Sequence, residues 1–216
     1  MEQQRFEELR KSVLDRMIQY NTCESSQNEV LQSNNDGILF SLLHKYWLEI
    51  LKQYRKPFIK WLYSYYATNK EALNRIGVWF NESTDKGKAI VTQGTIVFYG
   101  DAKVWAYNLS HIVLHDKAHC TAKDSSHIEC LDNSSAMLLD ESTCHASQRS
   151  KVNATSQSKV YANGSCTITA GDKSTVIAHS WNQITAVGEA EVFAPSKYKI
   201  KILGQAKLTL KKPEEL

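Results

Sequence analysis

Four histidines, His111, His115, His119 and His127, crowd residues 111–127. At a spacing of four, imidazoles bind zinc from one face of a helix, but the residues around these read as strand. His111, His119 and His127 are eight apart and occupy the second position of consecutive eight-residue units. If two units make one turn of chain, His111 and His127 become neighbours on one face and His119 lies on the opposite face. Two donors are fewer than the three or four that a zinc site draws from one chain. Completion by other subunits, as in trimeric β-helix enzymes, is not expected, because their six-residue repeat is absent. The expectation is solvated surface histidines and no metal site.

Other reactive groups read the same way. Five cysteines occur without a C-x-x-C pair, so neither a zinc ribbon nor a thioredoxin-type centre is supported. Cys120, Cys130, Cys144 and Cys166 fall on inward columns, where a free thiol acts as a small hydrophobe. Asp116, Asp124, Asp132, Asp140 and Asp172 share the seventh position of the unit. Calcium-binding rolls use nine-residue, Gly-rich units, so these read as turn-forming residues. Glu189 and Glu191 are adjacent acids, but no carboxylate pair for glycoside cleavage can be placed. No nucleophile elbow, phosphate loop or dinucleotide fingerprint occurs. No catalytic, cofactor-binding or metal residue is assigned, and no cofactor is expected.

The element that must position these groups is a repeat. From Gly94 to Pro213 the chain divides into fifteen octads without insertion, among them SHIVLHDK, SKVYANGS and CTITAGDK. The third and fifth positions are apolar in all fifteen, and nine of the fifth are Ala. Positions one, three and five of a strand point one way and two and four the other. Positions six to eight collect Gly, Asp, Asn and Ser, which form turns. Each octad is therefore a five-residue strand plus a three-residue corner. The corner is too short for a helical crossover, so the strands must stack as rungs of a solenoid, where neighbours bury what one rung cannot.

The number of octads per turn follows from the small inner residues and the outward fourth position. A wide three-sided interior filled by Ser, Val and Ala leaves voids, which protein interiors avoid. Alternate octads place Val97, Val113, Glu129, His145, Tyr161, Ile177, Phe193 and Thr209 in one column, more apolar than the column from the intervening octads. The expectation is a two-octad coil of 16 residues, with the three-octad coil as the alternative. The small-x-Val-x-Ala unit with its polar corner resembles octapeptide-repeat parallel β-helix proteins of bacteria and phages. That resemblance implies a scaffold and no particular activity.

Residues 1–93 read as a helical domain. Phe6, Leu9, Val13 and Met17 recur at helical spacing; a loop or short helix follows. Asp36 reads as the N-cap of a stripe from Ile38 to Tyr54, and Pro57 opens another helix. Thr68 and Glu71 form a capping-box pattern ahead of Leu73, Ile76, Trp79 and Phe80. Residues 81–92 read as a linker. Eleven of 21 aromatics lie between Phe40 and Phe80 and are expected to fill a small core. A basic-aromatic surface through Lys45, Lys52, Arg55, Lys56 and Lys60 is the alternative.

The fold class expected is mainly β: a single-stranded parallel β-helix of about fifteen octads over 94–213, a small α-helical domain over 1–93 before it, and a tail at 214–216. A net charge of +3 implies no nucleic-acid partner. A charged N-terminus does not read as a secretory signal, and no apolar run reaches the ~18 residues of a membrane span. With its odd number of thiols, the chain is expected in the cytoplasm. The leading function is a non-catalytic structural or interaction rod. A carbohydrate-active enzyme or binding module on a solenoid face is an alternative, and so is a membrane-surface or partner-binding module built from the aromatic helices. Tyr161, Ile177 and Phe193 are the candidate self-association stripe. Val97, Trp105 and Val113 are the candidate docking residues for the helices.

Overall fold

The computed structural model describes residues 2–19, 21–35, 38–39, 42, 67–68, 70–71, 74–75 and 77–215. They belong to two compact units, Met1–Val78 and Trp79–Leu216. In the first, helix α1 (Glu2–Gln19) packs on α2 (Glu24–Gln32). Phe6, Val13 and Met17 of the amphipathic stripe are buried, as is Val30 of α2. Asn21 ends α1 in the left-handed region (φ 49°). Its N–H donates to the Ile18 carbonyl and the Thr22 N–H to the Met17 carbonyl, the paired bonds of a Schellman cap. Arg10 crosses from α1 to donate to the Leu31 and Ser33 carbonyls at the end of α2.

Three boundaries differ from the sequence reading. Asn35 Oδ1 accepts the Ile38 N–H at 2.9 Å, so the capping side chain lies one residue before Asp36. Ala67 and Thr68 are already helical, so Thr68 does not open its helix. Gly77, at φ 81°, marks the change from helix to strand, and Trp79 and Phe80 lie in strand β1 (Val78–Phe80) instead of continuing a helical stripe. Most of the Ile38–Tyr54 stripe, the Pro57 helix and the basic-aromatic set Lys45 to Lys60 lie outside the described residues.

The second unit is a parallel β-solenoid. Its strands are β2 (Lys88–Val91), β3 (Thr95–Phe98), β4 (Lys103–Ala106), β5 (His111–Leu114), β6 (His119–Ala122), β7 (His127–Cys130), β8 (Ser135–Leu138) and β9 (Thr143–Ala146). They continue as β10 (Lys151–Ala154), β11 (Lys159–Ala162), β12 (Thr167–Ala170), β13 (Thr175–Ala178), β14 (Gln183–Ala186), β15 (Glu191–Ala194), β16 (Ile200–Ile202) and β17 (Lys207–Leu210). Even-numbered strands form one sheet, with β1 at its start, and odd-numbered strands from β3 form the other. Lys151 pairs with Thr167 and Val160 with Val176, so one coil takes 16 residues and two octads. Pairing starts before Gly94: Lys88 pairs with Lys103. Lys88–Val91 therefore belongs to a strand, and the reading of 81–92 as a linker does not hold there.

The core follows the octad frame. From Ile112 to Ala194, every third and fifth position is buried. Position-one serines are buried too, and Ser126, Ser158 and Ser174 donate their hydroxyls to the carbonyl three residues back, at 2.7–2.8 Å. This satisfies a polar group that would otherwise be costly inside and closes the corner. In most octads the seventh residue takes positive φ, as Asp116, Asp124, Asp132, Asp140 and Asp172 do at 52–58°; Gly, Asn and Asp tolerate this region best. Gly164 is needed for a second reason: a Cβ there would lie 2.8 Å from the Gln148 backbone nitrogen of the preceding coil. The frame loosens at β16 and β17, the edge strands, where Ile202 and Leu208 are half-buried and Leu210 is exposed.

Candidate functional site

Among the described residues, the densest cluster of chemically able side chains lies on the outer face of the odd-numbered sheet. Strand alternation turns positions two and four outward there. Register stacks His111 on His127 in one column. In the other it stacks Glu129 on His145, His145 on Tyr161, Tyr161 on Ile177 and Ile177 on Phe193. His111 Nε2 donates to Glu129 Oε1 at 2.8 Å. The His111 and His127 rings meet edge-to-face at 4.8 Å, and His127 lies 5.0 Å from His145. The His145 and Tyr161 rings stack at 4.8 Å and 14°. One donor atom each from His111, His127 and Glu129 lies within 4.8 Å of the others.

Sequence reasoning brought His111 and His127 together but counted only those two donors. Glu129 was visible as the outward residue two places after His127 on the same strand; it was read as part of an apolar column. Burial is the main cause holding the His127 imidazole below the ordinary histidine range. The His111 and His145 rings act in the same direction, and Glu129 opposes them.

The other histidines stand elsewhere. His119 lies on the even-numbered sheet, where it shares a hydrogen bond with Ser135 Oγ at 2.9 Å. Burial, then the Lys103 ammonium, lower its pKa. His115 sits at a corner, donates to Asp132 Oδ2 at 3.2 Å and stacks on Tyr99.

Tyr161, Ile177 and Phe193 occupy successive rungs of one outward column, as their spacing requires. All three are half-buried, since each is flanked along the column. Lys211 Nζ lies 5.1 Å from the Phe193 ring centre. Val97 and Val113 are paired on the odd-numbered sheet, whereas Trp105 is on the even-numbered one. The proposed docking trio is thus divided between two outer faces. The most exposed large apolar side chains in the solenoid are Leu109 and Trp181, at 81% and 71%.

The cysteines of the solenoid are fully buried. Cys144 Sγ and Cys130 Sγ are 3.7 Å apart as free thiols. A hydrogen bond with Cys130 and burial push the Cys144 thiol well up; burial does the same for Cys120. The corner aspartates hold backbone: Asp116, Asp124, Asp132, Asp140 and Asp172 each accept the N–H of the residue sixteen earlier. Glu189 and Glu191 share a surface recess with Lys173, Gln205 and Lys207, and Glu189 lies 4.0 Å from the Lys173 ammonium. No described helix is long and apolar enough to cross a membrane. No protein-family model, curated protein or solved structure matches this chain.

Proposed function

We propose that the protein is a non-catalytic rod whose odd-numbered sheet binds a second copy of the chain. The rod reading rests on the stacked 16-residue coils, with a core that fixes the outer side chains at rung spacing. The self-association reading rests on one pattern. Around Ile177, the second-position column runs Lys159, Thr175, Glu191 and the fourth runs Tyr161, Ile177, Phe193.

A two-fold axis along the Ile177 strand reverses the order of rungs and keeps the columns. It brings Tyr161 against the partner's Phe193, Ile177 against its equivalent, and Lys159 against the partner's Glu191. That is the self-complementarity a two-fold contact needs. The aromatic and aliphatic centre supplies attraction, and the flanking charges set register more than strength. The buried thiols suit a reducing compartment, so the rod is assigned to the cytoplasm.

Sedimentation velocity on the full chain tests this. Wild type is expected as a dimer. Replacing Tyr161, Ile177 and Phe193 together by Thr gives a folded monomer, because none of them points inward. Glu191→Lys alone weakens the dimer by opposing like charges, and adding Lys159→Glu restores it. A wild type that is monomeric at the highest concentration reached would refute the reading.

A further inference from the structure

The rod reading leaves the imidazole and carboxylate cluster unused. We propose that His111, His127 and Glu129 form a binding site for one divalent transition-metal ion, with Zn²⁺ as the reference case. The donor set argues for this class. Two imidazoles and one carboxylate match zinc and its neighbours in the first transition row, whereas calcium and magnesium take mainly oxygen.

The scaffold argues for it as well. His111 and His127 face each other across paired strands, and Glu129 is two residues along from His127 on the same outward face. The three side chains therefore stand on a backbone fixed by the inter-coil ladder. Their donor atoms lie within 4.8 Å of one another. Metal bonds of about 2.0–2.2 Å set tetrahedral ligands roughly 3.3–3.5 Å apart. Closing the difference takes about an ångström of side-chain rotation. His111 and Glu129 have that freedom, with side chains 34% and 39% exposed, and solvent reaches the site directly.

A fourth position remains for water or for His145. That residue stands one rung beyond Glu129, in register with it, and its ring is 5.0 Å from His127. The existing His111–Glu129 hydrogen bond is the competitor: metal binding must replace the proton shared there.

The test is calorimetric titration of chelator-stripped full-length protein with ZnCl₂ in a non-coordinating buffer. Cys23, the exposed thiol, is replaced by Ser in every sample to remove a competing ligand. One equivalent should bind, and saturation should raise the melting temperature. Removing an outer-sphere partner already costs metal sites about ten- to a hundredfold in affinity. His111→Ala, His127→Ala and Glu129→Gln should each lose at least about tenfold and show no melting shift with zinc. His119→Ala, on the other sheet, should bind as the parent does. Circular dichroism verifies the fold of each variant, with His127→Gln standing in if the alanine form is unfolded. Absence of zinc binding in the parent, or binding that survives all three ligand substitutions, overturns the proposal.

Discussion

Asp172 Oδ2 accepts the backbone N–H of Ser156, one coil earlier, at 3.0 Å. Asp172 itself is at φ 52°. One residue thus supplies both a left-handed corner and a bond to the neighbouring coil. The two contributions can be separated. Asp172→Asn keeps both and should cost under about 1 kcal/mol. Asp172→Gly keeps the backbone and loses the acceptor, at roughly 1–1.5 kcal/mol. Asp172→Ala loses the acceptor and adds about 1–2 kcal/mol for a left-handed alanine. Denaturant midpoints should fall in the order Asn, Gly, Ala; equal midpoints for Gly and Ala would remove the backbone half of this account.

The corner aspartates show how far sequence carried. They were recognisable as turn formers because they recur at position seven, but pattern alone did not reveal that each grips the coil before it. The solenoid and its 16-residue coil were legible because two inward columns repeat without a break. The first coil was not. GKAIVTQ, residues 87–93, is one residue short of an octad, so Lys88 pairs with Lys103 at an offset of 15 and drops out of phase. Trp79 and Phe80 continued an apolar helical spacing, and only the positive φ of Gly77 shows where that spacing stops being helix. Glu129 was missed as a third donor for a different reason: a period-two reading gives the face of a residue, not whether its carboxylate turns toward the adjacent column.

Cysteine chemistry should divide the five thiols sharply. Cys23 is exposed, and Cys120, Cys130, Cys144 and Cys166 are buried. A thiolate is the reactive form, and burial raises the pKa of Cys120 and Cys166. An aromatic disulfide reagent at neutral pH should therefore modify one thiol per native chain and all five after denaturation. Native Cys23→Ser should be silent. Rapid modification of any solenoid cysteine in the native state would show that the inner columns open to solvent.

His119 gives the fold a pH dependence with a defined sign. Burial and the paired Lys103 lower its pKa in the folded state, so folding favours the neutral ring. The unfolded chain restores the ordinary value of about 6.5. Above that pH the contribution to stability is complete. As pH falls below it, the unfolded state takes up a proton before the folded state does, and stability declines until the lowered folded pKa is passed. The melting temperature should fall as pH is lowered through about 6.5, and less steeply in His119→Gln. Lys103→Gln should move the His119 titration upward in NMR spectra. A wild-type His119 titrating at or above the ordinary value would contradict the assignment.

Coil length makes the last prediction. Removing 143–158 deletes β9 and β10, one whole coil, and joins Ser142 to Lys159. Ser142 is a first-position residue and Lys159 a second-position one, so the octad frame survives and each later strand stays in its sheet. β11 then takes the place of β9 beside β7, Val160 stacks on Ile128, and Asp172 faces the Asp140 corner in place of Ser156. Repeat stacks are stabilised mainly by nearest-neighbour contacts, so the shortened chain should still unfold cooperatively. Its denaturant midpoint should be lower, and its slope smaller because less surface is buried. Deleting only 143–146 instead brings the corner residues Ser147, Gln148 and Arg149 into strand positions and should abolish cooperative unfolding. The comparison uses far-UV circular dichroism in a urea titration. Cooperative folding of the four-residue deletion, or loss of folding in the sixteen-residue one, would mean that the octad is not the unit from which this solenoid is built.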